Sequence, residues 1–523
     1  MVLTQERSLS PASCPAWRTL SAAAVVLCAA LVMFTPLVAD PDLWGHVRFG
    51  QDLWQTGQII RADPYSYLTD GQPWINHEWL TEAIDALFFR LFGASGLIAL
   101  NLAMSLSIVE LLYSHLVRRG VGLVAAGVIV LLFALPLRPG VLNVRPQVIT
   151  YLLFLLVLLL ISAVERGRTR CVWAIAPIIA LWANLHGGVL AGVGVFLLWG
   201  VIHLASAAAG ERRLSVLLTR SNLVILTSMI ACPLALLLNP FGLRLLTFLL
   251  RTATIPRPEI AEWKPIAITS QWGQLFFAGL LVTVSGVVFS RRKRKPALMG
   301  ALICATLLPL LSARHTPLFA VAAPALAGEH LADAARRCGV GRLSAWLAAR
   351  IPVRLAALAL PVAALALAGA AIPRLDGIRI DPASADFPVC AVALLKKNQA
   401  SGDMITEFNW GEYVIWHLGP DVKVSVDGRR ETVYPDDVYR ENLAFMFGAV
   451  GWNRLLARGS PQLALVDRAR PAFGLMMQQP GWRLLYEDSL CGLFALEDSP
   501  LTEQLAREAQ PALPCNGKGL PFP

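Results

Sequence analysis

Apolar residues along this chain gather into eleven runs. The first, Thr19–Val38, has about the ~20 residues that a bilayer span requires. Ten more follow at roughly 84–117, 121–137, 147–164, 171–184, 189–208, 222–238, 274–290, 297–311, 317–332 and 355–372. The short segments around His186 read equally as one broken helix. A cleaved leader ending near Ala39 competes for the first run, but Leu37 is large for the −3 position, which favours an uncleaved anchor.

From Pro373 the pattern changes to that of a soluble domain of plausible independent size. MITEF, DVKVSVDG, QLALVD, WRLLYED and CGLFALE predict short strands, and amphipathic stretches such as Asp436 to Leu456 predict helices between them. The order suggests an α/β sandwich over 373–502. The tail, 503–523, carries four prolines and no pattern, and is expected to be poorly ordered.

Composition agrees with a polytopic membrane protein. Of 523 residues, 56% are hydrophobic and 15% charged, too apolar for an ordinary soluble protein. The net charge of +10 comes from short basic clusters between apolar runs, which argues for topology and against nucleic acid. Alternate loops carry twenty basic residues, including Arg166/Arg168/Arg170 and the run Arg291 to Lys295, against nine on the other side. By the positive-inside rule the richer side is cytoplasmic. An odd number of spans in the inner (plasma) membrane then places the first loop and the C-terminal domain outside the cytoplasm. None of the nine cysteines forms a C-x-x-C pair; Cys390, Cys491 and Cys515 can include one disulfide if their region is exported.

The first loop, 40–82, is out of keeping with the rest. It concentrates Asp40, Asp42, Asp52, Asp63, Asp70, Glu78 and Glu82 with His46 and His77 beside the first span, where charge is costly unless it serves a cavity or partner. In D40-P-D the two carboxylates can hold a divalent cation, or one can act as base while the other tunes it; equally, they can cap the helix predicted from Leu43. Trp44, Trp54, Tyr65, Tyr67, Trp74 and Trp79 add an aromatic band, and Leu43 to Trp54 has the spacing of an interfacial helix.

The order of elements resembles the GT-C superfamily of membrane glycosyltransferases, in particular the bacterial branch with lipid A aminoarabinose transferases, Rgt-type lipopolysaccharide sugar transferases and protein O-mannosyltransferases. The likeness lies in D40-P-D-L-W, Q51-D-L-W-Q-T-G-Q-I, G71-Q-P-W-I-N-H-E-W-L and F88-F-R-L-F-G-A-S-G-L, over about the first 120 residues. The chain departs from it with Asp42-Leu43 in place of Asp-Glu, and with His77-Glu78-Trp79 in place of Lys-Pro-Pro. The resemblance implies that Asp42, with Asp40 beside it, is the loop carboxylate that activates an acceptor or helps hold a metal ion. Glu78 stands as a further catalytic carboxylate, with His46 and His77 as substrate contacts.

Arg145, His186, Arg314 and His315 recur on the same side of the membrane and can converge on a phosphate, although each alone reads as an interfacial anchor. The loop 239–271 carries Glu262, a carboxylate that can close over a cavity or sit on a plain surface helix. In V424-S-V-D-G-R-R, Asp427, Arg429 and Arg430 follow a predicted strand, where either a ligand contact or an Asp-Gly turn fits.

The expected function is therefore transfer of a sugar, with inversion, from a polyprenyl-phosphate carrier to an envelope lipid, glycan or protein. A transporter or flippase of lipid-linked glycans would show an internal repeat and ionisable groups in mid-membrane, neither of which is evident. A glycan-binding envelope protein would not need eleven spans.

Overall fold

The computed structural model describes residues 16–255, 260–339, 353–380, 387–508 and 522–523. The chain divides into two compact units. The first comprises 1–37 and 98–376, the second 38–97 and 377–523.

The first unit is helical throughout. Among the described residues of the chain, seven helices are long and apolar enough to cross a membrane: Ala16–Met33, Ala94–Arg118, Leu123–Leu142, Gln147–Val164, Val189–Glu211, Gln271–Phe289 and Ala357–Arg374. Three shorter apolar helices, Thr169–Trp182, Arg220–Ala235 and Pro296–Leu311, account for three more of the expected runs. The eleventh, expected at 317–332, is built differently. Helix Thr316–Ala322 passes through a π-turn at Ala323–Ala327 into helix Gly328–Arg337, and every residue of the first two pieces is buried. A helix that is apolar all round belongs in a core. Phe319 accordingly packs on Phe276 and Phe133, with ring centroids 5.0 and 6.0 Å away. The run read as 84–117 is two helices, Trp79–Phe92 and Ala94–Arg118, because Gly93 breaks it at φ 61°.

The second unit contains all five expected strands. They form one mixed sheet in the order β2-β1-β3-β5-β4, with β1 Gly402–Ile405, β2 Val422–Val424, β3 Leu463–Asp467, β4 Trp482–Glu487 and β5 Cys491–Leu496. β1 runs parallel to β2 and β3, whereas β5 is antiparallel to β3 and β4. Ile405, Ala464, Val466 and Phe494 of the sheet pack with Phe445, Met446 and Met476 from the helices.

The first loop belongs to this unit. Its residues 65–67 bond the outer edge of β2: Tyr67 N–H donates to Val424 O and Val424 N–H to Tyr65 O, each at 3.1 Å. An open sheet edge is thereby covered. The helix Leu43–Thr56 buries Leu43, Trp44, Val47 and Phe49 inside the unit. Trp44 packs on Phe387 and Tyr413 at 4.4 and 5.3 Å. The aromatic band expected at a membrane interface is thus largely core: Trp44, Tyr65 and Trp74 are buried, while Trp54 is exposed. Amphipathic spacing marks a buried face without saying whether protein or lipid covers it.

Cys390 is disulfide-bonded, Cys491 is free and buried, and Cys515 lies outside the described residues. Part of the expected tail is ordered, since Pro500–Glu508 is helical and Phe522 is buried; 509–521 lie outside the described residues.

Candidate functional site

The D-P-D turn begins the site. Asp40 Oδ1 accepts a hydrogen bond from Asp42 N–H at 3.1 Å, and Asp40 O accepts one from Leu43 N–H at 3.0 Å. These bonds turn the chain into helix Leu43–Thr56. Asp42 occupies the N-cap position, yet its side chain makes no cap bond. Its carboxylate lies instead against Gly428, in the turn after β2. A β-carbon on Gly428 would sit 2.2 Å from Asp42 Oδ1 and 2.9 Å from Glu412 Oε1.

Glu412 reaches this point because of the glycine before it. A side chain on Gly411 would meet Val426 O at 2.2 Å and Asp427 Cα at 2.6 Å, so only glycine lets helix Gly411–Leu418 start this close to the turn. Glu412 is 3% exposed, and its Oε2 accepts from Gly45 N–H at 3.1 Å. Burial, followed by the charges of Asp42 and Asp427, raises its pKa well above the carboxylate range; Arg429 opposes the shift. Glu412 is a residue of this candidate site that sequence reasoning did not single out. Its one signal was an acid between Gly411 and an apolar Y-V-I-W run.

Arg429 anchors the floor. Its Nε and Nη2 donate to the two oxygens of Asp427 at 2.9 and 2.6 Å, and Nη1 donates to Asp63 Oδ1 at 2.8 Å. The rings of Trp74, Phe49 and Tyr65 surround the guanidinium at 4.7, 5.0 and 5.0 Å. Asp63 accepts further bonds from Thr69 Oγ1 and Tyr65 N–H.

His46, Glu78 and His77 form a neighbouring group on the same unit. His46 lies one turn after Asp42 and donates its N–H to Asp42 O at 3.0 Å. Its Nδ1 is 3.6 Å from Glu82 and 3.9 Å from Glu78, and His77 Nε2 is 3.5 Å from Glu78. Burial disfavours the His46 charge, but Glu82 and then Glu78 outweigh it and raise the pKa to about 9. His46 is therefore an imidazolium at neutral pH. Asn76 Nδ2 donates to Glu82 at 2.5 Å and holds the carboxylate in place.

In the first unit, Arg145, Gln147, Tyr151, Glu262, Lys264 and Arg314 line a cavity of about 460 Å³. Arg145 Nη1 pairs with Glu262 at 3.2 Å, and Arg314 stacks 4.3 Å from the Trp263 ring. The part of the 239–271 loop that carries Glu262 is pinned: Ala313 N–H donates to Lys264 O and Ser312 Oγ to Glu262 O. Residues 256–259 of that loop lie outside the described ones.

Two expected ligands do not line this cavity. His186 is buried, and its Nδ1 accepts from Gly188 N–H and lies 2.8 Å from Thr150 Oγ1, so the ring is used to shape its own loop. His315 is neutral at pH 7, because burial and then Arg314 lower its pKa to about 4. It does not supply the positive charge expected of it.

Among the described residues, no group of three or more His, Cys, Asp or Glu is placed to hold a metal ion. Asp40 spends one oxygen on the turn, and the carboxylates nearest Gly428 are Asp42 and Glu412. Among the described residues, Asp40 and Asp42 thus have no third His, Cys, Asp or Glu grouped with them.

No protein-family model and no curated protein matches the sequence. Among solved structures, the chain is similar to the Archaeoglobus fulgidus oligosaccharyltransferase in its apo form. The TM-score is 0.58 and the identity 14%, over 85% of this chain and 69% of that chain. The complex of that enzyme with Zn and sulfate gives 0.52 and 13%, over 85% and 68%. ArnT from Cupriavidus metallidurans, bound to undecaprenyl phosphate, is 14% identical over 91% of this chain and 97% of that chain, with a TM-score of 0.49. At such identities the likeness to the two oligosaccharyltransferase structures is one of backbone, and on that ground this chain has a GT-C-like fold: a polytopic helical body with a C-terminal sheet-containing domain.

Proposed function

We propose that the chain is an integral membrane glycosyltransferase that moves a sugar from a polyprenyl-phosphate donor to an envelope lipid, glycan or protein on the exported face of the inner membrane. The observation that carries this reading is the placement of the first-loop carboxylate. Asp42 is turned away from its helix cap and set beside Glu412 over Gly428, inside a domain whose fold is GT-C-like.

Asp42 takes the proton of an acceptor hydroxyl as that oxygen attacks the anomeric carbon. The bond from that carbon to the donor phosphate oxygen breaks, and the phosphate leaves with the electron pair. Attack opposite the leaving group inverts the anomeric centre. In the first unit, considered by itself, Arg145, Lys264 and Arg314 line a cavity and offer the positive charge that binding of a phosphate group calls for. His46 stays charged, and neutralises the Glu78 and Glu82 carboxylates behind the base.

The test is transfer of radiolabelled sugar from a panel of lipid-linked donors in membranes carrying the wild-type chain or Asp42→Asn at matched expression. Loss of transfer in a folded Asp42→Asn protein is the expected result. Equal transfer by the two proteins would overturn the assignment of the base, and Glu78 would be tested next.

A further inference from the structure

Phe522 stands in the sequence P-F-P. Proline has no N–H, so among residues 521–523 Phe522 carries the only backbone donor. That donor is used: Phe522 N–H donates to Ile378 O at 3.0 Å. The side chain is 2% exposed, and its ring meets those of Trp44, Phe89 and Trp416 with centroids 5.1, 5.7 and 6.2 Å apart. These are the separations of favourable aromatic pairs. A main-chain bond combined with a pocket for one side chain is also how short peptides are recognised in open grooves. Flanking prolines suit that role, because they limit the freedom lost on docking.

The groove continues beyond this segment. Pro523 lines a cavity of about 360 Å³ with Ile380, Val392, Lys396, Tyr413 and His417. His417 Nε2 is buried and has no hydrogen-bond partner among the described residues. Space of that size beside an unsatisfied polar atom is foreign to a packed core and normal in a binding surface.

Occupancy of the groove bears on the D-P-D turn from two directions. Trp44, one wall of the cage, lies two residues past Asp42 in the first turn of helix Leu43–Thr56. It is fully buried, so loss of the Phe522 ring opens a void against it. The stretch that receives Phe522 also receives the chain entering the turn, since Ala39 N–H donates to Arg379 O at 2.7 Å. All of these residues belong to the second unit.

We propose that the groove is a receptor for an aromatic–proline peptide segment, filled by Phe522 and Pro523 of the same chain, and that Phe522 is a positioning residue. Its docking steadies the D-P-D turn through Trp44 and through residues 378–379. The positioning role rests on the glycosyltransferase reading above. The receptor does not.

The experiment uses the full chain in detergent. A fluorescein-labelled peptide with the sequence of residues 516–523 is titrated by anisotropy against wild type and Phe522→Ala. Attachment to the chain gives the native segment an effective concentration of about millimolar order, so Phe522→Ala is expected to bind the peptide at least about tenfold more tightly than wild type. The same peptide with Phe522→Ala should bind at least about tenfold more weakly. Equal binding to the two proteins, or no effect of the ring, overturns the receptor. Wild type gives a check that needs no variant: the Phe522 amide should exchange its hydrogen at least about tenfold more slowly than in the free peptide, and exchange at the free-peptide rate overturns docking. In transfer assays Phe522→Ala should lose about tenfold and regain activity to within about twofold of wild type when unlabelled peptide is added. No loss, or a loss that the peptide does not restore, ends the positioning role. If wild type transfers nothing, the glycosyltransferase reading fails, and binding and exchange alone decide the receptor.

Discussion

Replacing Arg429 by methionine is the most direct probe of what holds the candidate site together. The side chain is 5% exposed and forms three charge-assisted hydrogen bonds, two to Asp427 and one to Asp63. Methionine fills much of the volume but leaves both carboxylates buried without a counter-ion, a change that costs about 3–5 kcal/mol. Loss of the contacts with Trp74, Phe49 and Tyr65 adds up to about 2 kcal/mol. Part is recovered when Asp63 takes a proton, because burial already biases its carboxyl upward and Arg429 is what pulls it down. We expect a net destabilisation of about 4 kcal/mol. For a unit of about 200 residues this lowers the melting temperature by roughly 10 °C. The assay is tryptophan fluorescence during a thermal ramp of the full chain in detergent, with Trp74 as a reporter beside the mutation. Asp63→Asn added to Arg429→Met should restore part of the loss, since a neutral amide removes one buried charge. A shift under about 2 °C in Arg429→Met would refute the reasoning, because it would mean that water solvates the carboxylates.

Three further outcomes are expected. The His46 pKa is raised from 6.5 to about 9 on folding, so its contribution is complete below about pH 6.5 and is lost as pH rises through 9; it amounts to about 3 kcal/mol. The wild-type melting temperature should accordingly fall between pH 7 and pH 10 more steeply than that of His46→Gln, and parallel slopes would contradict the assignment. Gly428→Ala places a methyl group 2.2 Å from Asp42 Oδ1, and should cut transfer about a hundredfold through misplacement of the base while the fold is kept; undiminished transfer would show that the carboxylates have room to spare. Glu262→Gln removes the carboxylate paired with Arg145 and should tighten binding of a polyprenyl phosphate about threefold, a modest gain because Glu262 is 41% exposed. Weaker binding would show that Glu262 serves the ligand.

Much of the architecture was legible because each element carries its own period. The span-length runs and the five strands required only local pattern, and the acidic first loop stood out because charge is scarce elsewhere. What stayed hidden depends on long-range partners. Nothing in G-E-Y-V-I-W says that Glu412 meets Gly45, 367 residues away. An aromatic band beside a membrane span reads as an interfacial belt until Trp74 and Tyr65 are found around Arg429. His186 and His315 illustrate the converse error, since a polar residue at a helix end often serves the backbone next to it or is buried neutral. The run at 317–332 was legible as apolar, but not that protein surrounds it on every side, because hydropathy alone does not distinguish lipid from protein as the surrounding medium.

The discontinuity of the second unit also has a meaning in time. Gly45 and Asp63 of the first loop are synthesised 367 and 366 residues before their partners Glu412 and Arg429. At about 5–20 residues per second, that interval is roughly 20–70 s, during which the helices of the first unit are made. Throughout it the first-loop segment has neither the edge of β2 to pair with nor Arg429 for Asp63. A chain interrupted anywhere before residue 430 would thus carry the proposed base without the groups that fix it. Assembly of the candidate site therefore reports that synthesis has passed the β2 turn.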